Sequence, residues 1–254
     1  VYDLGARVHS NSWGGGDNSY SDRCAQIDYF MWTHPDFLLF ASNGNSGPDP
    51  GTVHPPATAK NCVSVGATRQ APNQESVAWY SSRGPCADGR RKPTITAPGG
   101  DEGLYIFSAD NNFSNPPTPT CLLQGLPFMG TSMATPAAAG CALLVRDYLA
   151  QGFYPFGLPT GGAGITPSAA LVKAMLVNGG HEMGSADEPS QSEGWGRILL
   201  DDVLYFSPLD VSELRLEDEA TGVSTGEEVA YYYDVDAAAA PLEITLVWTD
   251  YPSS

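Results

Sequence analysis

Lysine is what this sequence has least of. Lysine occurs only at Lys60, Lys92 and Lys173, and lysine plus arginine number 12 against 29 acidic residues, a formal net charge of −17. A surface this acidic repels phosphate backbones and anionic lipid headgroups, which argues against nucleic acid or a membrane as partner. No run approaches the ~18 apolar residues that a membrane-spanning helix needs, and no leader with a basic start and an apolar middle stands ahead of the first strand. The five cysteines (Cys24, Cys62, Cys86, Cys121 and Cys141) show no C-x-x-C spacing, so a zinc site is not expected. Oxygen-rich clusters at Asp49, Asp101-Glu102, Asp110-Asn111-Asn112 and Asp201-Asp202 lack the D-x-D-x-D-G spacing of a calcium loop, and no metal ligand is assigned.

What the sequence does hold is apolar mass and turns. At 254 residues and 42% hydrophobic it can bury a large core, and 28 glycines with 21 prolines make it rich in loops. The most informative stretch is Gly130-Thr131-Ser132-Met133-Ala134-Thr135-Pro136, a small-residue turn that opens the apolar run 137–150 and predicts a buried helix. At a helix N-terminus, a serine hydroxyl sits beside free backbone N–H groups and the positive end of the dipole. Negative charge developing on an attacked carbonyl oxygen is stabilised there. Gly130 leaves the backbone open to approach, and Pro136 is expected within the first turn, where its missing N–H costs no hydrogen bond. Acyl transfer needs that arrangement.

Other segments carry the same kind of punctuation. Phe37 to Phe40 reads as a strand that breaks into the polar turn Ser42-Asn43-Gly44-Asn45-Ser46-Gly47-Pro48. Asn11-Ser12-Trp13-Gly14-Gly15-Gly16 ends a period-2 run with Ala6, Val8 and Ser10 on one face. Cys62 to Ala67 predicts a short buried strand, Ser81-Ser82-Arg83-Gly84 a turn, and Lys92 to Gly99 a strand stopped by Pro-Gly. Thr166 reads as the cap of a further helix with Pro167 at its first position, and Gly179-Gly180 as its stop.

Taken together, these segments resemble the subtilisin-like serine proteases, or subtilases. The match of Gly130 to Pro136 to that family's serine motif runs over seven consecutive positions, and the resemblance extends over about residues 5 to 205. It implies an α/β fold, a parallel sheet flanked by helices that is incomplete at its N-terminus. It implies Ser132 as nucleophile, and Asn45 together with the Ser132 N–H as the oxyanion hole. Ser42, Asn43 and Gly44 would form one wall of the primary specificity pocket. Ser12, Trp13 and Gly14 would be an edge to which an extended polypeptide substrate adds as a strand. The pocket floor is expected from Gly51 to Pro56, where Val53 and His54 are unusual.

In that family the catalytic Asp and His lie upstream of the strand that Ser12 ends. His9, His34, His54 and His181 are followed by Ser, Pro, Pro and Glu, so none stands in the family's H-G-T setting, and His9 and His34 read as structural. The resemblance therefore implies a missing N-terminal part that supplies both partners, and a chain inactive without it. It also implies chemistry that needs no cofactor, room for structural calcium with ligands unassigned, and a secreted protein.

After Phe206-Ser207-Pro208 the pattern changes. Val211 to Leu216 and Glu243 to Trp248 alternate apolar and polar, and Val229 to Val235 is aromatic and β-branched, so three strands are expected. They resemble the start of the antiparallel β-sandwich appended to several subtilases, cut short at Ser254. The expected domains are thus 1–208 for the protease and 209–254 for the beginning of the sandwich. Cys141 reads as a small buried hydrophobe, while Cys86 and Cys121 sit where a disulfide could form. Asn112-Phe113-Ser114 is a glycosylation sequon. Two other functional readings stay open. One is a protease scaffold kept as an inactive binding module. The other is a serine esterase with Gly130-x-Ser132-x-Ala134 as its nucleophile elbow and His181 downstream; it is disfavoured because Gln124 to Phe128 does not read as the buried strand an elbow needs.

Overall fold

The computed structural model describes residues 1–110, 122–159, 164–184, 189–207, 213–219, 221–235 and 242–253. In chain order the elements are β1 (Val8–Asn11), α1 (Asp22–Thr33), β2 (Leu38–Ser42), β3 (Val63–Thr68), β4 (Ile95–Pro98), β5 (Ile106–Asp110), β6 (Leu122–Phe128), α2 (Thr131–Ala150), α3 (Ala169–Asn178), β7 (Gly180–His181) and β8 (Arg197–Ile198). The main sheet has the order β1-β2-β3-β4-β8-β7. Its pairs are parallel from β1 through β4 to β8, and β7 joins β8 antiparallel. This is an α/β architecture.

Burial follows position in the sheet. Every residue of β2 and β3 is buried, which is why they read as unbroken apolar and small-residue runs: a parallel strand covered on both faces has no polar side to alternate with. Among the described residues β1 lies at the edge with β2 as its single ladder partner, and the two-faced pattern expected of it is absent. Ala6 and Val8 are half-buried and Ser10 is exposed, because an edge strand is covered only in part.

α2 crosses the sheet and packs on β1 to β4. It begins at Thr131 and buries one stripe, in which Ala134, Ala138, Ala142, Val145 and Leu149 recur at helical spacing. Alanines at the crossing let the helix axis lie close to the strands. The helix is not buried all round as the sequence suggests, since Leu143 and Leu144 face solvent at 56% and 58% exposure. Cys141, on its flank, is half-buried. α3 starts later than expected. Its cap is Ser168, whose hydroxyl accepts the Leu171 N–H at 3.0 Å, so Pro167 precedes the helix; Gly179 ends it as expected.

A strand does precede Gly130, against the sequence reading. β6 pairs antiparallel with β5 in a separate two-stranded ribbon, outside the parallel sheet. The stretch after Phe206 takes no regular secondary structure in its described residues, so the three strands expected there form no ladder. Ile244 and Leu246 stand 79% exposed, while Thr245, Val247 and Thr249 are half-buried. Residues 245–253 are nonetheless held. The Asn61 carboxamide donates to the Asp250 carbonyl at 2.8 Å and accepts the Asp250 N–H at 2.8 Å, as a neighbouring strand would. Asn178 Nδ2 donates to Thr245 Oγ1 at 3.2 Å, and the rings of Trp32 and Tyr251 meet edge-on at 5.7 Å.

Asn61 belongs to a loop built on buried charge. The fully buried Asp28 accepts the N–H groups of Lys60 at 3.0 Å and Asn61 at 2.8 Å, and the Tyr20 hydroxyl at 2.8 Å. Lys92 donates to the Ala59 carbonyl at 2.7 Å, and Lys173 reaches the carbonyls of Lys60, Asn61 and Cys62 at 3.4, 3.1 and 3.2 Å. The scarce lysines thus converge on one turn. Carbonyls solvate the Lys173 ammonium only in part, and burial, aided by the nearby Lys92 cation, lowers its pKa to about 8.

The unfolded chain holds that proton up to about pH 10.4, so between pH 8 and 10 it binds more protons at Lys173 than the folded protein does. Folding stability gains a rising contribution over that window. Burial raises the Cys62 thiol and contributes the opposite slope. The comparison that isolates the lysine is therefore wild type against Lys173→Met in thermal unfolding from pH 7 to 10.5. The wild type is expected to gain stability relative to the variant as pH rises past 8.

Candidate active site

Three chain segments meet at the carboxyl ends of β1 and β2. The parallel register sets Asn11 beside Ala41, so Ser12 leaves the sheet next to Ser42, the last residue of β2. The N-terminus of α2 rests against both exits, outside the carboxyl ends of parallel strands, where ligands of open α/β sheets characteristically bind.

The turn after β2 is tied to α2 through Asn45. Its Oδ1 accepts both the Thr131 N–H and the Thr131 hydroxyl, each at 2.9 Å. A backbone N–H can only donate, so this oxygen assignment is forced and Nδ2 points the other way. Thr131 Oγ1 also accepts the Gly44 N–H at 3.3 Å, and the threonine is 1% exposed. Gly130, at φ 149°, brings its backbone against the carboxamide; a Cβ there would stand 3.2 Å from Asn45 Nδ2. Among the described residues neither Asn45 Nδ2 nor the Ser132 N–H has an acceptor.

Ser132 lies in the first turn of α2 and is half-buried. Its hydroxyl donates to the Ser12 carbonyl at 3.3 Å, and the Ser12 hydroxyl donates back to the Ser132 carbonyl at 2.8 Å. The second bond has a cause in the sequence. Because the helix starts at Thr131, Pro136 falls in its second turn, and the N–H it lacks is the one that would have bonded the carbonyl four residues back, at Ser132. Pro136 therefore does cost a helix hydrogen bond, and Ser12 fills the vacancy.

The remaining predicted residues divide. Among the described residues the N–H and C=O groups of Trp13 and Gly14 have no hydrogen-bond partner, and the Trp13 ring is 51% exposed with the Arg23 guanidinium 5.6 Å from its centre. Ser42 and Asn43 are buried. Asn43 Nδ2 donates to the Ser82 carbonyl at 2.6 Å, so backbone is what this stretch presents to a cleft. Gly44 is fixed from the far side as well, its carbonyl accepting the Ser82 N–H at 2.9 Å.

No histidine hydrogen-bonds Ser132 among the described residues. His9 Nε2 meets Asn11 Oδ1 at 2.7 Å; His34 stacks on Phe30 at 4.0 Å and closes α1; His181 faces Glu75 and Asp202 at 3.6 and 3.7 Å. His54 contacts Gly16 and Ser46. The acidic clusters gather no group of three or more His, Cys, Asp or Glu among the described residues, and Asp101 is spent on an ion pair with Arg69. Cys24, Cys62, Cys86 and Cys141 carry free thiols. Cys121 and the sequon at Asn112 lie outside the described residues.

Sequence reasoning missed two residues here, Thr131 as the group that orients Asn45 and the Ser12 side chain as the partner of the Ser132 carbonyl. The second was readable in principle, since a proline four residues after Ser132 leaves that carbonyl in need of a donor.

Comparison with known proteins shows the family and the fold. The model of the family described as "Subtilase family" matches residues 1–196. The serine protease/ABC transporter B family protein tagD of Dictyostelium discoideum is 27% identical over an alignment covering all of this chain and 20% of its own length. Serine protease AprX of Bacillus subtilis is 35% identical, over 42% of this chain and 25% of its own. The chain spans about a fifth of the length of the first curated relatives it matches. Among solved structures, the prenylagaramide maturation protease PagA superposes with a TM-score of 0.56 at 23% identity, covering 80% of this chain and 62% of that one. Fervidolysin from Fervidobacterium pennivorans, a keratinolytic enzyme related to subtilisin, gives 0.54 at 25% identity over 80% and 27%.

The hydroxyl of Thr131 and the carboxamide of Asn45 are expected to act as a unit. In a double-mutant cycle of Thr131→Val with Asn45→Ala, urea unfolding is expected to give a coupling of about 1 kcal/mol. Additive effects would mean that the two do not hold each other in solution.

Proposed function

Because the chain belongs to the subtilase family, we propose that it carries the nucleophile and oxyanion hole of a serine endopeptidase. The observation that carries this reading is the pair of unspent donors beside Ser132, its own N–H and Asn45 Nδ2, the latter aimed by two bonds from Thr131. Donors fixed in advance stabilise charge where it develops without reorganising at the moment of reaction.

The substrate is a polypeptide in extended form. It adds as a strand along Ser12, Trp13 and Gly14, where the free N–H and C=O groups of Trp13 and Gly14 satisfy its backbone whatever its sequence. Ser132 Oγ attacks the peptide carbon while a base takes its proton. The carbonyl oxygen becomes an oxyanion held by Asn45 and the Ser132 N–H. Collapse expels the amine, which receives the proton, and leaves an acyl-enzyme that water hydrolyses by the same steps. The chemistry uses only protein groups.

The base lies outside residues 1–254, together with the carboxylate that orients it. This assignment rests on the partners of Ser132 Oγ, which bonds a carbonyl at 3.3 Å, and a carbonyl accepts a hydrogen bond but does not take the proton. The four histidines are engaged elsewhere. The esterase reading gains nothing from β6, which belongs to a separate ribbon and not to the parallel sheet.

In the complete protein, Asn45→Ala is expected to lower kcat for peptide hydrolysis by about 10²–10³, the loss known for the corresponding asparagine of subtilisin, with KM changed only a few-fold. Steady-state kinetics on a peptide substrate measures both. An unchanged kcat would remove Asn45 from the oxyanion hole.

A further inference from the structure

His54 is held across the space between the two segments that flank Ser132. Its Nδ1 lies 2.7 Å from the Gly16 carbonyl on one side, and its Nε2 lies 2.9 Å from Ser46 Oγ on the other. A carbonyl only accepts, so Nδ1 carries the proton, and Nε2 of the neutral ring accepts from the serine hydroxyl. The ring edge presses on Gly44, where a Cβ would come within 2.8 Å of His54 Cδ2 at a φ of +109°. On the opposite wall a Cβ on Gly14 would lie 3.7 Å from His54 Cβ and 2.9 Å from the Pro55 carbonyl. The backbone N–H of His54 donates to the Asn43 carbonyl at 3.3 Å, and Val53 and Pro55 on either side are buried, so the ring is anchored at its root as well.

The same two walls bound the place of the substrate side chain. Ser132 bonds Ser12 on one wall and reaches Gly44 and Asn45 on the other through Thr131. The residue whose carbonyl Ser132 attacks must therefore drop its side chain between Ser12–Gly16 and Ser42–Ser46, toward the imidazole that spans them. We propose that His54 closes this slot and restricts cleavage to the carboxyl side of small, uncharged residues such as Ala, Ser and Gly. The proposal rests on the reading of Ser132 as nucleophile and adds the substrate class.

Both ring nitrogens are spent on the walls, so the neutral ring offers an incoming side chain a C–H edge and no donor. A large side chain must displace it and break the bonds to Gly16 and Ser46. The cost of those bonds has to be met from substrate binding, which is how a filled pocket discriminates by size.

The test is a set of fluorogenic peptides, identical except for the residue before the cleaved bond (Ala, Ser, Leu, Phe, Lys or Glu), given to the complete protein. In wild type, kcat/KM is expected to be at least tenfold higher for Ala and Ser than for Leu, Phe, Lys or Glu. His54→Gly opens the slot, and the Phe-to-Ala ratio of kcat/KM is expected to rise at least tenfold. Ser46→Ala, which frees one end of the ring without removing it, is expected to move that ratio the same way by less. A wild-type profile led by Phe, Leu, Lys or Glu overturns the proposal while leaving the protease reading standing, as does a Phe-to-Ala ratio that His54→Gly leaves unchanged. Absence of hydrolysis of every peptide removes the protease reading beneath it.

Discussion

The hydrogen bonds that Asn45 Oδ1 accepts from Thr131 join the turn after β2 to the N-terminus of α2, and the geometry of the site depends on them. Without that link the two elements keep the longer bond from the Gly44 N–H to Thr131 Oγ1 and their packing across the sheet, but nothing fixes the Asn45 carboxamide against rotation. With it, the oxygen is committed, and the nitrogen, turned away from Thr131, has no acceptor among the described residues. Gly130 contributes by lacking a side chain where the carboxamide lies. A reciprocal pair between Ser12 and Ser132 fastens the third segment, the exit of β1, to the same helix turn. Three pieces of chain far apart in sequence thus become one rigid surface. Rigidity is what lets donors act on a transient charge, since donors that must first reorganise lose most of their advantage.

Support for this surface comes from the loop that connects it to β3. The segment from Val53 to Cys62 starts beneath the site, at His54, and ends on the turn that Asp28, Lys92 and Lys173 hold from inside. Buried charges are tolerated there because each is hydrogen-bonded to backbone groups of opposite polarity, two N–H groups for Asp28, three carbonyls for Lys173 and one for Lys92. In a chain so poor in lysine, two of the three ammonium groups bond backbone carbonyls of this one loop, and Lys92 is buried. Asn61 extends the same turn outward to Asp250, so the stretch beyond the sheet grips the domain at a point whose backbone is already fixed.

Much of this was legible in the sequence where a signal was local. The buried strands announced themselves as short apolar runs bounded by turns, and the Ser132 and Asn45 segments as small-residue turns at element ends. Errors arose where the answer depended on a boundary or on a partner far along the chain. α2 starts at Thr131, which turned Pro136 from a harmless first-turn residue into one that removes a hydrogen bond. Ser168 caps α3 in place of Thr166 because its hydroxyl reaches the Leu171 N–H. The outward side of α2 at Leu143 and Leu144 was hidden because an all-apolar run carries no polar residue to mark it. Pairing of residues 211–248 into strands does not appear among the described residues, since alternation specifies a face but not a partner to pair with. His54 could be noticed in sequence only as odd; its bonds to Gly16 and Ser46 required the fold.

The central claim is that Ser132 is an activated nucleophile in the assembled enzyme. It is tested most directly by treating the complete protein with a fluorophosphonate, which modifies serines whose proton a neighbouring base can take, and locating the adduct by peptide mass spectrometry. The account predicts a single adduct on Ser132 that disappears in Ser132→Ala. An adduct on another serine, or none in a protein that hydrolyses peptides, would contradict it.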